Sequence, residues 1–366
     1  MKTSFLSIKT FGKPTAELMI QKQKFRKTFS FFLAVVLMFS FCSCTDGEKT
    51  ETGKSSNADI YVMSYEGTEI SSGLYAYILS SKKTDFLYII ESTYGSGYAT
   101  DSESFWNTVP SDGDNRNYGE RVISDINDYC RMLLVSDKLC LNYSVSLSDE
   151  YIDEINSAIE ENVFYYGSEK AFEERLKPYG LDIKALKDYY EREYKIVSLK
   201  NVLYGNGGIY QIDSDEVNRT TADNYVKLKH VYFKGEDADA LKEKANGLVE
   251  KLTVGEIKFA DLQKETEDGS YESYPDGYVV EREEYEESGL GIEIGEFAVS
   301  EIDGGIYIIA RDSLNESDLA EYYEATETEL INDSFYKLVK QYFPLIKTNN
   351  EELSRYDIVT AEVFEW

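Results

Sequence analysis

The chain is poor in the residues that build metal sites and disulfide scaffolds. Its 366 residues include one histidine and four cysteines, which are His230, Cys42, Cys44, Cys130 and Cys140. They do not cluster at zinc-site spacing, and residues 112–116 depart from the calcium-loop pattern where Arg116 stands. Phosphate-binding loops and the nucleophile elbow of hydrolases are also missing. We therefore predict that the protein uses no metal and no cofactor.

Basic residues are scarce as well. The chain carries 38 lysines and arginines against 68 aspartates and glutamates, a formal net charge of −30. Nucleic-acid binding draws most of its affinity from basic side chains, so a surface this acidic would repel a phosphate backbone. We predict no nucleic-acid partner.

The longest apolar run lies near the N-terminus and is short. Residues 29–41 form it, directly after a basic stretch. A membrane-spanning helix needs about 20 apolar residues, so this run is typical of a signal peptide. Ser43 and Cys44 follow, and a cysteine after a small residue resembles the lipobox of bacterial lipoproteins. We predict a signal peptide over residues 1–44, with Cys44 lipidated as the first mature residue, and a flexible polar linker over residues 45–58.

This leader predicts an extracytoplasmic protein held by a lipid anchor on the outer face of the bacterial cytoplasmic membrane. A cleaved signal without lipid is the alternative, because Phe41 stands where a lipobox usually has leucine. The start codon is also open, since initiation at Met19 would give a more ordinary basic region before the apolar run.

Hydrophobic periodicity divides the remaining chain into three parts. Apolar residues recur at helical spacing from Leu74 to Leu203, with helix starts expected at Ser71 or Ser72, near Ser148 and at Ser168. Strand-like alternation replaces this spacing over residues 226–233, and residues 305–310 read as a buried strand. Helical spacing returns from Glu316. The fold class is therefore α+β, with helical segments on both sides of an α/β insert. We place the domains at residues 59–218, 219–313 and 314–366.

Cys130 and Cys140 fall within one predicted helix. Ten residues of helix separate their Cα atoms by about 15 Å. A disulfide requires Cα atoms within about 7 Å. We therefore predict two buried free thiols.

The order of these parts resembles foldases of the PrsA and SurA type. In the N-terminal part, residues 67–71 (GTEIS) look like the family's opening turn, and residues 167–186 (GSEKAFEERLKPYGLDIKAL) resemble its helix pair. Residues 229–234 (KHVYFK) resemble the histidine strand of parvulin domains, and residues 252–262 resemble the helix after it. Residues 295–297 (GEF) and 305–309 (GIYII) resemble the last parvulin segments. The resemblance implies a mainly helical SurA-like chaperone domain, built from both ends of the chain, with an inserted parvulin-like peptidyl-prolyl isomerase domain.

The resemblance places His230, Asp268 and Tyr307 at the catalytic positions of a parvulin. Tyr307 replaces the second parvulin histidine, and a tyrosine hydroxyl can donate and accept hydrogen bonds as histidine does. Residues 274–278 (YPDGY) replace a glycine-rich turn, and the segment from there to Gly295 is about one helical turn short. That segment normally forms the wall for the proline ring. The alternative is that the three residues have structural roles only: His230 as a core histidine, Asp268 as a solvated turn acid and Tyr307 as a core aromatic.

Three functions remain open from the sequence. The first is a folding factor that binds unfolded exported polypeptides and catalyses isomerisation of X-Pro bonds. The second is a non-enzymatic holdase with a decayed parvulin domain, for which the 31 tyrosines offer apolar area with a polar tip. The third is a lipoprotein that binds a small solute or a wall component. Against this third function, the sequence lacks the repeated βαβ pattern expected of a two-lobed solute binder.

Overall fold

A computed structural model describes residues 60–95, 97–110, 114–302 and 305–364. Helices and strands are both present, which confirms the predicted α+β class. The described chain divides into two compact units: the first holds the residues up to Gln211 and those from Ile331 onward, and the second is Ile212–Leu330. No helix of the described ranges is both long and apolar enough to cross a membrane. The predicted signal peptide, Cys44 and the linker lie outside these ranges.

The first unit begins with a β-hairpin. Strands β1 (Tyr61–Tyr65) and β2 (Thr68–Ser71) pair antiparallel. The turn between them places Glu66 and Gly67 at φ values of 45° and 90°, in the left-handed region. The sequence indicated a turn at residues 67–71, where the structure has Gly67 in the turn and Thr68–Ser71 in β2. Its four residues run directly into a helix cap, so they leave too little alternation to be recognised.

Helices make up most of the first unit. Their bounds are α1 (Ser72–Tyr94), α2 (Glu103–Trp106), α3 (Tyr118–Asn142), α4 (Asp149–Tyr165), α5 (Glu169–Leu176) and α6 (Ile183–Tyr204). The side chains of Ser71, Ser148 and Ser168 accept hydrogen bonds from backbone N–H groups at the starts of α1, α4 and α5, which confirms these predicted caps. A 3₁₀ turn, Lys177–Tyr179, extends α5 and ends at Gly180 with φ 66°.

The core of the first unit is aromatic as well as aliphatic. Helix α1 packs on α3, and α3 packs on α6. Tyr75, Tyr77 and Phe86 are almost fully buried. Cys130 and Cys140 are buried free cysteines, as predicted. Burial raises their thiol pKa values, to about 12 and about 11, so neither is a reactive thiolate at neutral pH.

The second unit is built around an antiparallel sheet. Its elements are α7 (Ser214–Asn224), β3 (Tyr225–Phe233), α8 (Ala238–Thr253), α9 (Phe259–Leu262), α10 (Ser270–Ser273), β4 (Tyr278–Glu281), α11 (Arg282–Glu287), β5 (Phe297–Ile302), β6 (Gly305–Asp312) and α12 (Glu316–Leu319). The strand order is β4-β3-β6-β5. Strands β3 and β6, the two predicted from sequence, are neighbours at its centre.

The two faces of this sheet bury different side chains, because successive residues of a strand point to opposite faces. On one face, Val231, Phe233, Ile306 and Ile308 belong to a core that also contains Ala245 of α8. The core on the opposite face contains the alternate residues of β3 and β6, together with side chains from β4, α11 and the loop after α11. Its members are Val226, Leu228, Val280, Tyr285, Ile292, Tyr307 and Ile309. His230 lies on β3 in phase with this second set.

The segment after β6 remains with the second unit. The sequence assigned residues 314–366 to one closing segment, whereas the structure groups residues 314–330 with the second unit. Two contacts explain this grouping. Lys227 of β3 pairs with Asp318 of α12 at 2.7 Å, and the rings of Tyr225 and Tyr322 lie 4.3 Å apart.

The end of the chain completes the first unit. Helix α13 (Tyr323–Lys340), strand β7 (Lys347–Thr348) and helix α14 (Asn350–Leu353) follow in order, and the division between the units falls within α13. Strand β7 pairs antiparallel with β1, with Thr348 opposite Met63. Phe335 and Phe364 are fully buried. The first unit is therefore made from residues near both ends of the chain.

A buried lysine holds the C-terminal segment against α1. The side chain of Lys83 has no exposed surface, and its Nζ lies 2.8 Å from a carboxylate oxygen of Asp101. The same nitrogen donates to the backbone carbonyls of Ala361, at 2.6 Å, and Val359, at 3.4 Å. Nζ also lies 5.7 Å from the ring centroid of Trp106. We refer to these contacts as the Lys83 clamp.

Two backbone segments of the first unit, the start of α1 and the 3₁₀ turn after α5, also lie very close together. Gly73, in the first turn of α1, faces Tyr179 of the 3₁₀ turn. A Cβ atom at Gly73 would lie 1.9 Å from the Tyr179 carbonyl oxygen and 3.1 Å from its carbon. Only glycine allows these two segments to pack this closely.

Candidate functional site

His230 is placed by the register of the central strands. It lies opposite Ile309 of β6, and its neighbour on the same face, Tyr232, lies opposite Tyr307. The alternation of β3 directs Val231 and Phe233 into the other core. His230 is 8% exposed. The ring is therefore at the edge of a core, where its nitrogens require polar partners.

Both ring nitrogens of His230 have such partners. Nε2 lies 2.7 Å from a carboxylate oxygen of Asp268, and Nδ1 lies 3.0 Å from the hydroxyl of Tyr278. The other oxygen of Asp268 accepts from the Thr266 hydroxyl at 2.8 Å and from the Ser270 backbone N–H at 3.0 Å. These contacts form a continuous chain from the 266–270 segment through β3 to β4. We call this group the His230 network.

The Asp268 carboxylate determines which ring nitrogen of His230 carries a proton. Burial alone would raise the pKa of Asp268, but hydrogen bonds from His230, Ser270 and Thr266 outweigh it and hold that pKa well below its usual range. Asp268 is thus a carboxylate that only accepts hydrogen bonds, so Nε2 of His230 carries a proton. In the neutral ring, Nδ1 then accepts from Tyr278. Burial, with the neighbouring Asp268 and Tyr307, raises the pKa of Tyr278 and keeps its hydroxyl protonated.

Tyr307 lies beside the His230 network. Its hydroxyl bonds to neither ring nitrogen of His230, because these nitrogens are bonded to Asp268 and Tyr278. Tyr307 is 4% exposed, and its ring centroid lies 5.4 Å from that of His230 and 4.7 Å from that of Tyr232. It packs against the network as an aromatic ring.

Tyr278 is the residue that the sequence analysis missed. It was noted only as the last residue of an altered turn, while the structure makes it the first residue of β4, opposite Leu228 of β3. Gly277, at φ 91°, lets the chain enter this strand close to the Leu228 carbonyl. Val279 and Val280 were a signal, because valine favours strands, but four residues are too few to predict a strand.

The shortened segment before Gly295 folds into the core. It contains α11, and its apolar residues Tyr285 and Ile292 are each 6% exposed. The Tyr285 hydroxyl donates to the Ile292 carbonyl at 2.5 Å, which closes the segment on itself. These side chains fill the space beside the sheet, so they do not present a wide apolar wall to a ligand.

Side chains of the types that bind metals are dispersed in the described part of the chain. None of its His, Cys, Asp and Glu residues form groups of three or more that could hold a metal ion. In the stretch compared above with a calcium loop, Asp114 is paired with Arg116 at 2.7 Å, while residues 111–113 lie outside the description.

The Asp268 carboxylate should make the stability of the protein sensitive to acid. Its pKa is near 3.9 in an unfolded chain and lower in the folded one. Its stabilising effect is therefore fully present above about pH 4 and is lost as the pH falls through the folded pKa. We expect Asp268→Asn to lower the free energy of unfolding at neutral pH and to flatten its dependence on pH below about 4. Urea unfolding across this range measures both effects.

Asp261→Asn is the control for this prediction. Asp261 is exposed and pairs only with the exposed Lys264, at 3.2 Å. An equal acid dependence in wild type and Asp268→Asn would show that the network does not stabilise the folded state.

Comparisons with known proteins give structural matches only. No protein-family model matches the chain, and none of the curated proteins matches it. Among solved structures, the foldase PrsA of Streptococcus pneumoniae matches with 17% identity, a TM-score of 0.24, and coverage of 67% of this chain and 96% of that one. The peptidylprolyl isomerase PrsA of Bacillus anthracis matches with 17% identity, a TM-score of 0.25, and coverage of 61% of this chain and 94% of that one. PrsA of Bacillus cereus matches with 15% identity, a TM-score of 0.31, and coverage of 67% of this chain and 94% of that one. The chain is thus similar, at low identity and low TM-score, to solved PrsA structures from several bacteria.

Proposed function

We propose that this protein is an extracytoplasmic folding factor that binds unfolded exported polypeptides. In this proposal the residues up to Gln211 and from Ile331 onward form the chaperone part, and Ile212–Leu330 form a parvulin-like part. One observation carries the proposal: the single histidine of the chain, at the position that the parvulin strand motif implies, lies 2.7 Å from Asp268, which the resemblance places at a second catalytic position. The resemblance and the contact are separate observations that concern the same pair of residues, which supports the proposal.

The His230 network suits weak isomerase activity at most. Prolyl isomerisation needs no nucleophile, because its barrier of about 20 kcal/mol is the rotation of an amide bond. Polar groups must favour the twisted amide while an apolar pocket holds the ring. His230 has no free ring nitrogen to offer, and Tyr285 and Ile292 are buried in the core. Asp268, with its side chain 26% exposed, and the half-buried Thr266, Ser270 and Tyr278 are the members of the network that a substrate would reach in this proposal.

A non-enzymatic holdase is the second candidate. The observation that favours it is the burial of His230 and Tyr307, at 8% and 4% exposure. In this version the network is structural: it ties the 266–270 segment and β4 to β3, and the second unit serves as a binding or supporting module. The first unit would then perform the function alone, through its exposed aromatic side chains.

Two assays on the mature protein separate these candidates. We expect His230→Ala to keep its suppression of aggregation of an unfolded client, because binding needs only apolar and aromatic area. Any isomerisation of a prolyl peptide should fall about tenfold for each 1.4 kcal/mol of transition-state stabilisation that is lost. Tyr278→Phe removes one hydroxyl and tests the newly found member of the network. Asp261→Asn serves as a control.

The results have distinct meanings. Isomerisation that is equal in wild type and His230→Ala would remove His230 from the mechanism. Absence of isomerisation in wild type, with aggregation suppressed, would support the holdase. Loss of aggregation suppression in a folded His230→Ala protein would show that the two functions are not separable.

Membrane attachment is proposed to depend on Cys44. The motivating features are the apolar run at residues 29–41, the small Ser43 and the polar linker. We expect Cys44→Ala to move the protein from the membrane fraction to the soluble fraction, because a lipid chain is the anchor in this proposal. Fractionation followed by immunoblotting measures the change. Retention of the variant in the membrane at the wild-type level would reject lipidation at this residue.

A further inference from the structure

An apolar groove lies on the first unit between the end of α4, α5 and the start of α6. Its volume is about 790 Å³, and its apolar lining includes Ile159, Val163, Phe164 and Ile183. Phe164 is 88% exposed, and the adjacent Tyr165 is 62% exposed. Large apolar side chains grouped in this way on a surface usually mark a binding site.

The exposure of Phe164 is not a by-product of a poorly formed helix end. Helix α4 ends in regular fashion, with the Tyr166 N–H bonded to the Asn162 carbonyl and the Gly167 N–H to the Phe164 carbonyl. The neighbouring aromatic Phe172 is fully buried and stacks on Tyr166 at 5.4 Å. The local core is therefore complete without Phe164, whose ring is left facing solvent.

The groove has an acidic rim. Helix α4 carries six acidic and no basic side chains. Glu160, Glu169 and Glu173 line the groove, and within the described ranges no basic side chain forms an ion pair with any of them. Lys184 and Lys187 also line it, and Lys187 donates to Asn156 at 2.7 Å. Unpaired carboxylates around an apolar floor favour a ligand that is both apolar and positively charged.

We propose that this groove binds apolar segments flanked by lysine or arginine in unfolded polypeptides. The proposal rests on the proposed function and names its preferred client segments. An apolar side chain of the client would pack on Phe164 and Val163, and its basic neighbours would meet Glu160, Glu169 and Glu173. An anionic bilayer surface is the less favourable occupant, because the six carboxylates of α4 would be repelled by it.

Two fluorescent peptides test the proposal by anisotropy. They share one centre rich in leucine and phenylalanine and differ only in their flanks, which are lysine or glutamate. We expect the mature protein to bind the lysine-flanked peptide at least about tenfold more tightly, a difference of 1.4 kcal/mol. Phe164→Ser should weaken this binding by about tenfold without changing the folded structure, since the side chain is almost fully exposed.

Matched variants separate local from general effects. Leu141→Ser removes another apolar side chain of the first unit, 76% exposed, and should leave binding unchanged. Glu173→Lys places a positive charge in the groove, while Asp333→Lys makes the same reversal at an exposed position of α13. Only the first should reduce the preference for the lysine-flanked peptide, and added salt should reduce that preference in wild type.

The possible outcomes show separately whether the groove proposal fails and whether the proposed function fails. Failure of the wild type to suppress aggregation of an unfolded client would reject the proposed function. Normal suppression and binding in Phe164→Ser would reject the groove while leaving that function intact. Equal affinity for the two peptides, or binding of the protein to anionic vesicles through Phe164, would reject the proposed client chemistry.

Discussion

Gly73→Ala should destabilise the first unit by about 3 kcal/mol or more, although it adds a single methyl group. The new Cβ would lie 1.9 Å from the carbonyl oxygen of Tyr179. Overpacking usually costs about 1–3 kcal/mol when side chains can adjust, and here the obstacle is backbone. The 3₁₀ turn that carries Tyr179 is fixed by Gly180, so α1 would have to move away from it. Urea unfolding followed by circular dichroism measures the loss.

Two other glycines supply graded controls. At Gly119, in the first turn of α3, a Cβ would lie 2.9 Å from a side-chain methyl of Ile358, which can move, so we expect a smaller cost. At Gly247, within α8, a Cβ would meet nothing within 4 Å. Gly247→Ala should stabilise its helix by up to about 1 kcal/mol. A Gly73→Ala protein as stable as Gly119→Ala would contradict the close approach to Tyr179.

Lys83→Ala should cost about 2–5 kcal/mol, the range for truncating a large buried side chain to alanine, since the Lys83 side chain is fully buried while its partner Asp101 is 35% exposed. The substitution removes the bond to Asp101 and leaves the Ala361 and Val359 carbonyls without the lysine donor. It also opens a cavity under Trp106. We expect the C-terminal segment to loosen first, and hydrogen exchange of backbone amides in residues 358–364 would detect this before global unfolding.

Lys83→Met and Lys138→Ala test the origin of this cost. Methionine keeps much of the buried side-chain volume, so Lys83→Met should be less damaging than alanine. Lys138 also forms an ion pair at 2.8 Å, with Glu66, but both side chains are well exposed. Its loss should cost at most about 1 kcal/mol. Equal losses in Lys83→Ala and Lys138→Ala would show that burial of the clamp adds nothing.

Local signals account for the parts of the fold that the sequence predicted. The caps at Ser71, Ser148 and Ser168 depend on residues within one helical turn. The long strands β3 and β6 have enough residues for their pattern to be recognised. Strands β4 and β7 have four and two residues, and they exist because distant partners pair with them. Such pairing depends on tertiary contacts that a single segment does not encode.

The candidate site was predictable in part for the same reason. His230 and Asp268 were named from their motif positions, and the structure brings them together at 2.7 Å. Tyr278 was not named, because its role depends on the register of β4 against β3. The Lys83 clamp was not predicted either, since it joins residues 18 to 278 positions apart.

The construction of the first unit from both chain ends has a consequence for biosynthesis. A chain grows from its N-terminus, so β1 and α1 exist long before β7, Phe335 and Phe364, their partners in the finished core, have been made. Until these partners are present, the apolar residues of β1 and α1 lack part of the core that covers them. An incomplete polypeptide is therefore a better substrate for proteases than a finished one. Removal of Phe364 should therefore uncover part of this core and make the first unit more sensitive to proteolysis.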